Sequence, residues 1–163
     1  MIKDRVIEEM KKVFQEVPYS IDHTLRVLEN AEAIMEGEKI KENDRELISI
    51  AAILHDIGAI EAQRKHGSME AHYQEIEGPK ITRRILEDLR YDTNRIDRIC
   101  YIVGNHHTPS KIDGIDFQIL WEADLLENMI VNKPESKDEL KKYIEENFKT
   151  ATGKKLTEEM FFK

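Results

Sequence analysis

Ile48-Ser49-Ile50-Ala51-Ala52-Ile53-Leu54-His55-Asp56-Ile57-Gly58 carries six apolar residues in its first seven and then an adjacent histidine and aspartate. The run reads as a strongly apolar helix. Neither His nor Asp belongs in an apolar core without a partner. A divalent metal ion is a partner that serves both, because neutral imidazole and carboxylate are ligands for borderline and hard divalent ions. Adjacent helix positions point about 100° apart, so both side chains reach one ion only near a helix end. Gly58 is expected to supply that end as a C-terminal stop.

The flanking sequence is helical throughout. Val6, Ile7, Met10, Val13 and Phe14 recur at helical spacing over residues 3–15, a packing helix that Pro18 is expected to break. A second helix over about 21–37 has Leu25, Leu28, Ala31 and Ile34 on its apolar stripe, His23 in its first turn and Ser20 or Asp22 as candidate caps. Asn43 or Asp44 opens the third, which runs to His55-Asp56. Residues 59–70 read as a polar connection whose Arg64-Lys65 is either a solvated stretch or a grip for phosphate. From Glu70 to Arg90 the pattern is again helical, with Pro79 marking a kink or a new start. His72, Glu75 and Glu77 lie just before it. A helix over about 93–105, with Thr93 as candidate cap, runs into His106-His107 and is stopped by Pro109.

The helix over 117–130 contains an anomaly. Asp124 shares a face with Leu120, Trp121 and Asn128, and an unpaired buried carboxylate costs several kcal/mol. It needs a cation or a proton. Glu122 and Glu127 fall on other faces and are expected in solvent. A charged helix over 136–147, a turn at Thr150-Ala151-Thr152-Gly153 and a last helix over 156–162 complete the chain. Its Met160-Phe161-Phe162 end suits the core or a homodimer. No strand pattern, repeat or glycine-rich phosphate loop is present.

A chain of 163 residues is long enough for a single domain with a real core. Its net charge of −8 argues against binding a nucleic-acid polymer, whose phosphates need a basic face. A small phosphorylated substrate is not excluded, since a metal supplies local positive charge. The lone Cys100 forbids an intrachain disulfide, no run approaches a membrane span, and Met1–Arg5 lacks an apolar signal region. A cytoplasmic protein without membrane contact is expected.

Taken together, His23, His55-Asp56 and Asp124 come from three apolar-faced helices. Two histidines and two carboxylates leave an octahedral ion two open positions, inside a helical bundle. This H…HD…D pattern resembles the HD-domain superfamily of metal-dependent phosphohydrolases over roughly residues 20–130. The four residues match that family's metal ligands in order and spacing, and His55-Asp56-Ile57-Gly58 is a common form of its central motif. His106-His107 is similar to the extra histidines of members with a second metal, in which the Asp of the pair bridges two ions. Ala59 stands where many members have a lysine, and Gly78-Pro79 stands where the second-metal members read Gly-Ala, with His72 six residues upstream.

The resemblance implies an all-α, HD-like bundle with a divalent ion (Mn, Fe, Co, Ni, Zn or Mg) in its core. It further implies hydrolysis of a phosphate ester or anhydride, with a nucleotide as the expected substrate. One tightly held ion on His23, His55, Asp56 and Asp124 is expected. Asp56, His106 and His107 are the catalytic candidates. His72, His106, His107, Glu77, Arg64 and Lys65 remain candidates for a second metal or for substrate. Two other readings stand beside this one: a non-catalytic HD-like module that binds a nucleotide or a metal, and a two-iron oxygenase.

Overall fold

The last eight residues of the helix that ends at His55 are almost all apolar, and such a stretch is stable only when other helices cover every side. In the computed structural model, which describes all 163 residues, this helix, α3 (Glu42–Leu54), is buried without interruption from Leu47 to Leu54. Its covers are α1 (Ile2–Val13), α2 (Pro18–Glu38), α6 (Thr93–Val103) and α7 (Ile115–Met129). Outside them lie α4 (Ala59–His66), α5 (Ala71–Asp88), α8 (Lys137–Asn147) and α9 (Ala151–Phe161), with a 3₁₀ turn at Pro109–Lys111. The protein is all-α. One apolar cluster of 34 buried residues runs from Val6 to Phe148, so α1 and α8 share a core with the motif helices. No helix is long and apolar enough to cross a membrane.

Several local expectations need correction. Pro18 opens α2, in the first turn, where a proline forfeits no hydrogen bond. Residues 59–66, expected as a connection, form α4. Only Ala59 and Ala62 of it are buried, too few apolar positions to betray a helix, and Arg64, Lys65 and His66 in its last turn complement the helix dipole. Asp92, not Thr93, caps α6, accepting from Arg95 N. Thr150 begins α9 rather than a free turn, its hydroxyl accepting from Gly153 N. Pro79 neither breaks nor starts a helix: α5 runs through it. Its ring is accommodated by Gly104 at the end of α6, where a Cβ would come within 2.9 Å of the proline Cγ.

Glu122 was expected in solvent and is fully buried. Its carboxylate accepts from Gln118 Nε2 (2.6 Å), Lys149 N (2.8 Å), Thr150 N (3.1 Å) and Thr150 Oγ1 (2.6 Å), so it joins α7 to the chain between α8 and α9. Glu127 is also largely covered, paired with Arg26 of α2.

Gly58 does not end α3 by a left-handed turn. Its φ of −80° is ordinary, and it opens α4. Glycine is needed there for closeness: a Cβ would fall 2.5 Å from Gly78 N and 2.8 Å from Gln74 O, both backbone atoms of α5. Gly78 answers with its own missing side chain, where a Cβ would meet Val103 Cγ1 at 2.8 Å. The turn after His55-Asp56 is thereby pressed directly onto α5. Gly58→Ala is expected to cost about 1–3 kcal/mol, because backbone must shift rather than a flexible side chain. Thermal or denaturant unfolding of the variant checks this.

Candidate metal centre

The candidate ligands come from two helices and the turn after a third, and their side chains face one interior point. His23 projects from the second turn of α2, Asp124 from the middle of α7, and His55-Asp56 from the turn that follows α3. Asn30 of α2 donates to the Ala123 carbonyl (3.1 Å), which fixes α7 beside α2 at the level of Asp124. The two deepest rings are oriented by one device. His55 Nδ1 donates to the Ala52 carbonyl and His106 Nδ1 to the Val103 carbonyl, both at 2.7 Å. These carbonyls belong to last helical turns, where backbone acceptors lack partners. Because a carbonyl only accepts, Nδ1 carries a proton in both rings, and Nε2 is the ring atom turned toward the cluster.

The free atoms converge. Asp56 Oδ2 lies 3.4 Å from His23 Nε2 and 3.1 Å from His55 Nε2, and Asp124 Oδ1 lies 3.3 Å and 3.4 Å from the same two atoms. His55 Nε2 and Asp124 Oδ1 are fully buried and make no hydrogen bond. Two such atoms, each costing about 1–3 kcal/mol, face each other across a gap that hydrogen bonds do not close. Neighbouring ligands at about 2.1 Å from one ion stand about 3 Å apart. The orphaned atoms, the spacing and the N/O donor set therefore fit a divalent ion, and His23, His55 and Asp56 form a group able to hold one. A second group, Asp56, His106 and His107, shares only Asp56, whose Oδ1 faces His106 Nε2 at 3.2 Å while Oδ2 faces the first group.

The electrostatics follow from burial and proximity. Burial alone would raise the Asp56 carboxyl, but His55 and His106 hold it well below the usual carboxylate range. Asp124 is likewise lowered, with His55 and His23 overriding burial. On His55 burial opposes charge, yet Asp56 and Asp124 push its pKa well above the usual imidazole value. His107 is lowered by burial and by His106 beside it.

Other candidates lie elsewhere. His72 is exposed in the first turn of α5 and joins neither group. Glu77 is buried against Lys65 Nζ (3.1 Å), His66 Nε2 (2.9 Å) and Lys80 Nζ (3.6 Å). Arg64 pairs with Glu61. These residues line a groove between α4 and α5 to which no histidine of the two groups contributes. Glu75 is taken up as a positioning residue: it accepts from His107 N (3.0 Å) and Thr108 Oγ1 (2.8 Å), which holds the histidine segment against α5. An acid two residues before Glu77 gives no periodic signal of that contact.

Two expectations follow. Ligation needs a neutral His55, so adding Mn²⁺ or Zn²⁺ to the metal-free chain near neutral pH is expected to release about one proton per ion, with affinity rising with pH. Calorimetry in buffers of different ionisation enthalpy reads this directly. The hydrogen bond from His66, with Lys65 and Lys80, lowers Glu77 from 4.5 to about 2 despite burial. A depressed carboxylate contributes stability that is complete above its unfolded pKa and is lost as pH falls through the folded one. Glu77→Gln is therefore expected to flatten the acid limb of the stability curve between pH 4.5 and about 2.

Residues 20–147 match the HD domain family. The fold resembles the crystal structure of a predicted HD superfamily hydrolase from an uncultured Thermotogales bacterium, with a TM-score of 0.69 and 24% identity over 96% of this chain and 83% of that one. No curated protein matches the chain. With the histidine-aspartate cluster at the centre of an all-helical fold and the family match spanning most of its length, this chain belongs to the HD-domain family.

Proposed function

We propose that the protein is a metal-dependent phosphohydrolase acting on a phosphate ester or anhydride, with a nucleotide as the substrate. The observation that carries this reading is the pair of orphaned atoms, His55 Nε2 and Asp124 Oδ1, aimed at the same point as His23 and Asp56. A stability site closes its ligand set. Here two imidazoles and two carboxylates would hold the ion, and Asp56 and His23 stay partly accessible, so the cluster is open to a water and a substrate.

His23, His55, Asp56 and Asp124 would hold the ion, and when bound it supplies a Lewis acid for a phosphoryl oxygen and a water of lowered pKa. The chain supplies the rest. Asp56 remains charged and is the one residue that reaches both groups. His106 exchanges its proton only at Nε2, since Nδ1 is tied to Val103, and that atom faces Asp56 Oδ1. The pair is thereby placed to orient a nucleophilic water and to hold its proton. His107, exposed beside it with its ring centroid 4.0 Å from that of His106, is open to a phosphate arriving from solvent. Arg64 and Lys65, already paired with carboxylates in another groove, are not assigned a phosphate role. Occupancy of the second group by a weaker ion is compatible with the same chemistry.

With Mn²⁺ or Co²⁺ present, hydrolysis of phosphomonoesters and nucleotides is expected to fall to the buffer background in His55→Ala and Asp56→Ala, with helical circular dichroism retained. Unchanged turnover in either variant rules the site out. Metal binding that raises the melting temperature without any phosphatase activity across such a screen would favour the non-catalytic module.

A further inference from the structure

On the far side of His23 the fold opens a pocket of about 380 Å³, within the range of small-molecule sites. Its wall includes Tyr19 and His23 from α2 and Asn128, Ile130, Val131 and Asn132 from the end of α7 and beyond. Three of these are large apolar side chains left in water: Tyr19 is 68% exposed, Ile130 56% and Val131 76%. They gather at one mouth beside a candidate ligand. The Tyr19 ring lies nearly parallel to the His23 imidazole, at 17° with centroids 6.5 Å apart. Arg26, the cation in this wall, is already paired with Glu127.

We infer that this pocket is the subsite for the purine or pyrimidine base of a mononucleotide whose phosphate lies at the histidine-aspartate cluster. This rests on the proposed phosphohydrolase reading and adds to it the place where the base of the nucleotide sits. His23 belongs to both the pocket wall and the cluster, so the pocket borders the cluster. The pocket itself is not a phosphate site, because its arginine is neutralised by Glu127. A flat aromatic face with two aliphatic side chains suits a planar ring, on which a base stacks whatever its identity. The amides of Asn128 and Asn132 each offer a donor and an acceptor, which a base edge can use and an acyl chain cannot.

Calorimetric binding to the full-length, metal-loaded chain tests the subsite without needing turnover. The probes are the four common nucleoside 5′-monophosphates and ribose 5-phosphate, which keeps the sugar and phosphate but lacks the base. At least one nucleotide is expected to bind about tenfold more tightly than ribose 5-phosphate, the scale of one aromatic stack. Tyr19→Ala and, separately, Val131→Asp are expected to erase that preference while leaving ribose 5-phosphate binding unchanged; Tyr19→Phe is expected to restore it. Both positions are exposed enough for the variants to fold. Equal affinity for all probes, no binding of any, or a preference that survives both variants overturns the subsite. Loss of hydrolysis and loss of base preference are separate results: a chain that prefers nucleotides but cleaves none keeps the subsite and refutes the hydrolase reading.

Discussion

Two buried polar atoms without hydrogen bonds set the terms for this molecule. His55 Nε2 and Asp124 Oδ1 face one another inside a helical core, and a core tolerates that only if something else satisfies them. Everything around them serves their position. From Leu47 to Leu54 α3 is buried on every face, which carries His55 to the centre, and four helices cover it. The last-turn carbonyls of α3 and α6 turn their histidines to present Nε2 inward. Gly58 and Gly78 bring the turn that carries the His-Asp pair against α5 more closely than any side chain would permit. The chemistry a metal would perform there is thus prepared by backbone geometry before any ion arrives.

Much of this was readable in the sequence, and for physical reasons. An apolar run that ends in His-Asp is an expensive arrangement, and so is an aspartate on the apolar face of a helix. Such costs stand out against a background where polar residues face water. That logic singled out His55, Asp56 and Asp124; His23 joined them only through the spacing of the H…HD…D set, and the structure places the four side chains close together. The sequence also singled out His106 and His107, which the structure gathers around the other oxygen of Asp56.

Where the reading failed, the decisive contacts were long-range or short of pattern. α4 has too few apolar positions to announce a helix. Glu122 looked solvated because its partners, Lys149 and Thr150, arrive from nearly thirty residues away as backbone groups that periodicity cannot register. Gly58 was read as a chain stop when it is a point of contact between helices. Glu77, Arg64 and Lys65 were candidates for a second metal or for substrate, and the fold places them together in a groove of their own. Tyr19 drew no attention because an exposed tyrosine is unremarkable until its neighbours are known.

The carboxylates of α7 carry a consequence for the end of the chain. Asp124 looks inward at the histidines, while Glu122, two residues earlier and so on the opposing side of the helix, is gripped by the segment leading into α9. α7 is therefore held by an acidic anchor on each flank, and any roll about its axis that improves one anchorage worsens the other. The residues beyond α7 contribute no candidate ligand, yet through their hold on Glu122 they help fix the angle at which Asp124 enters the centre. Sequence drift in that tail, far from the chemistry, is a means of tuning the spacing of the donor set without touching a single donor.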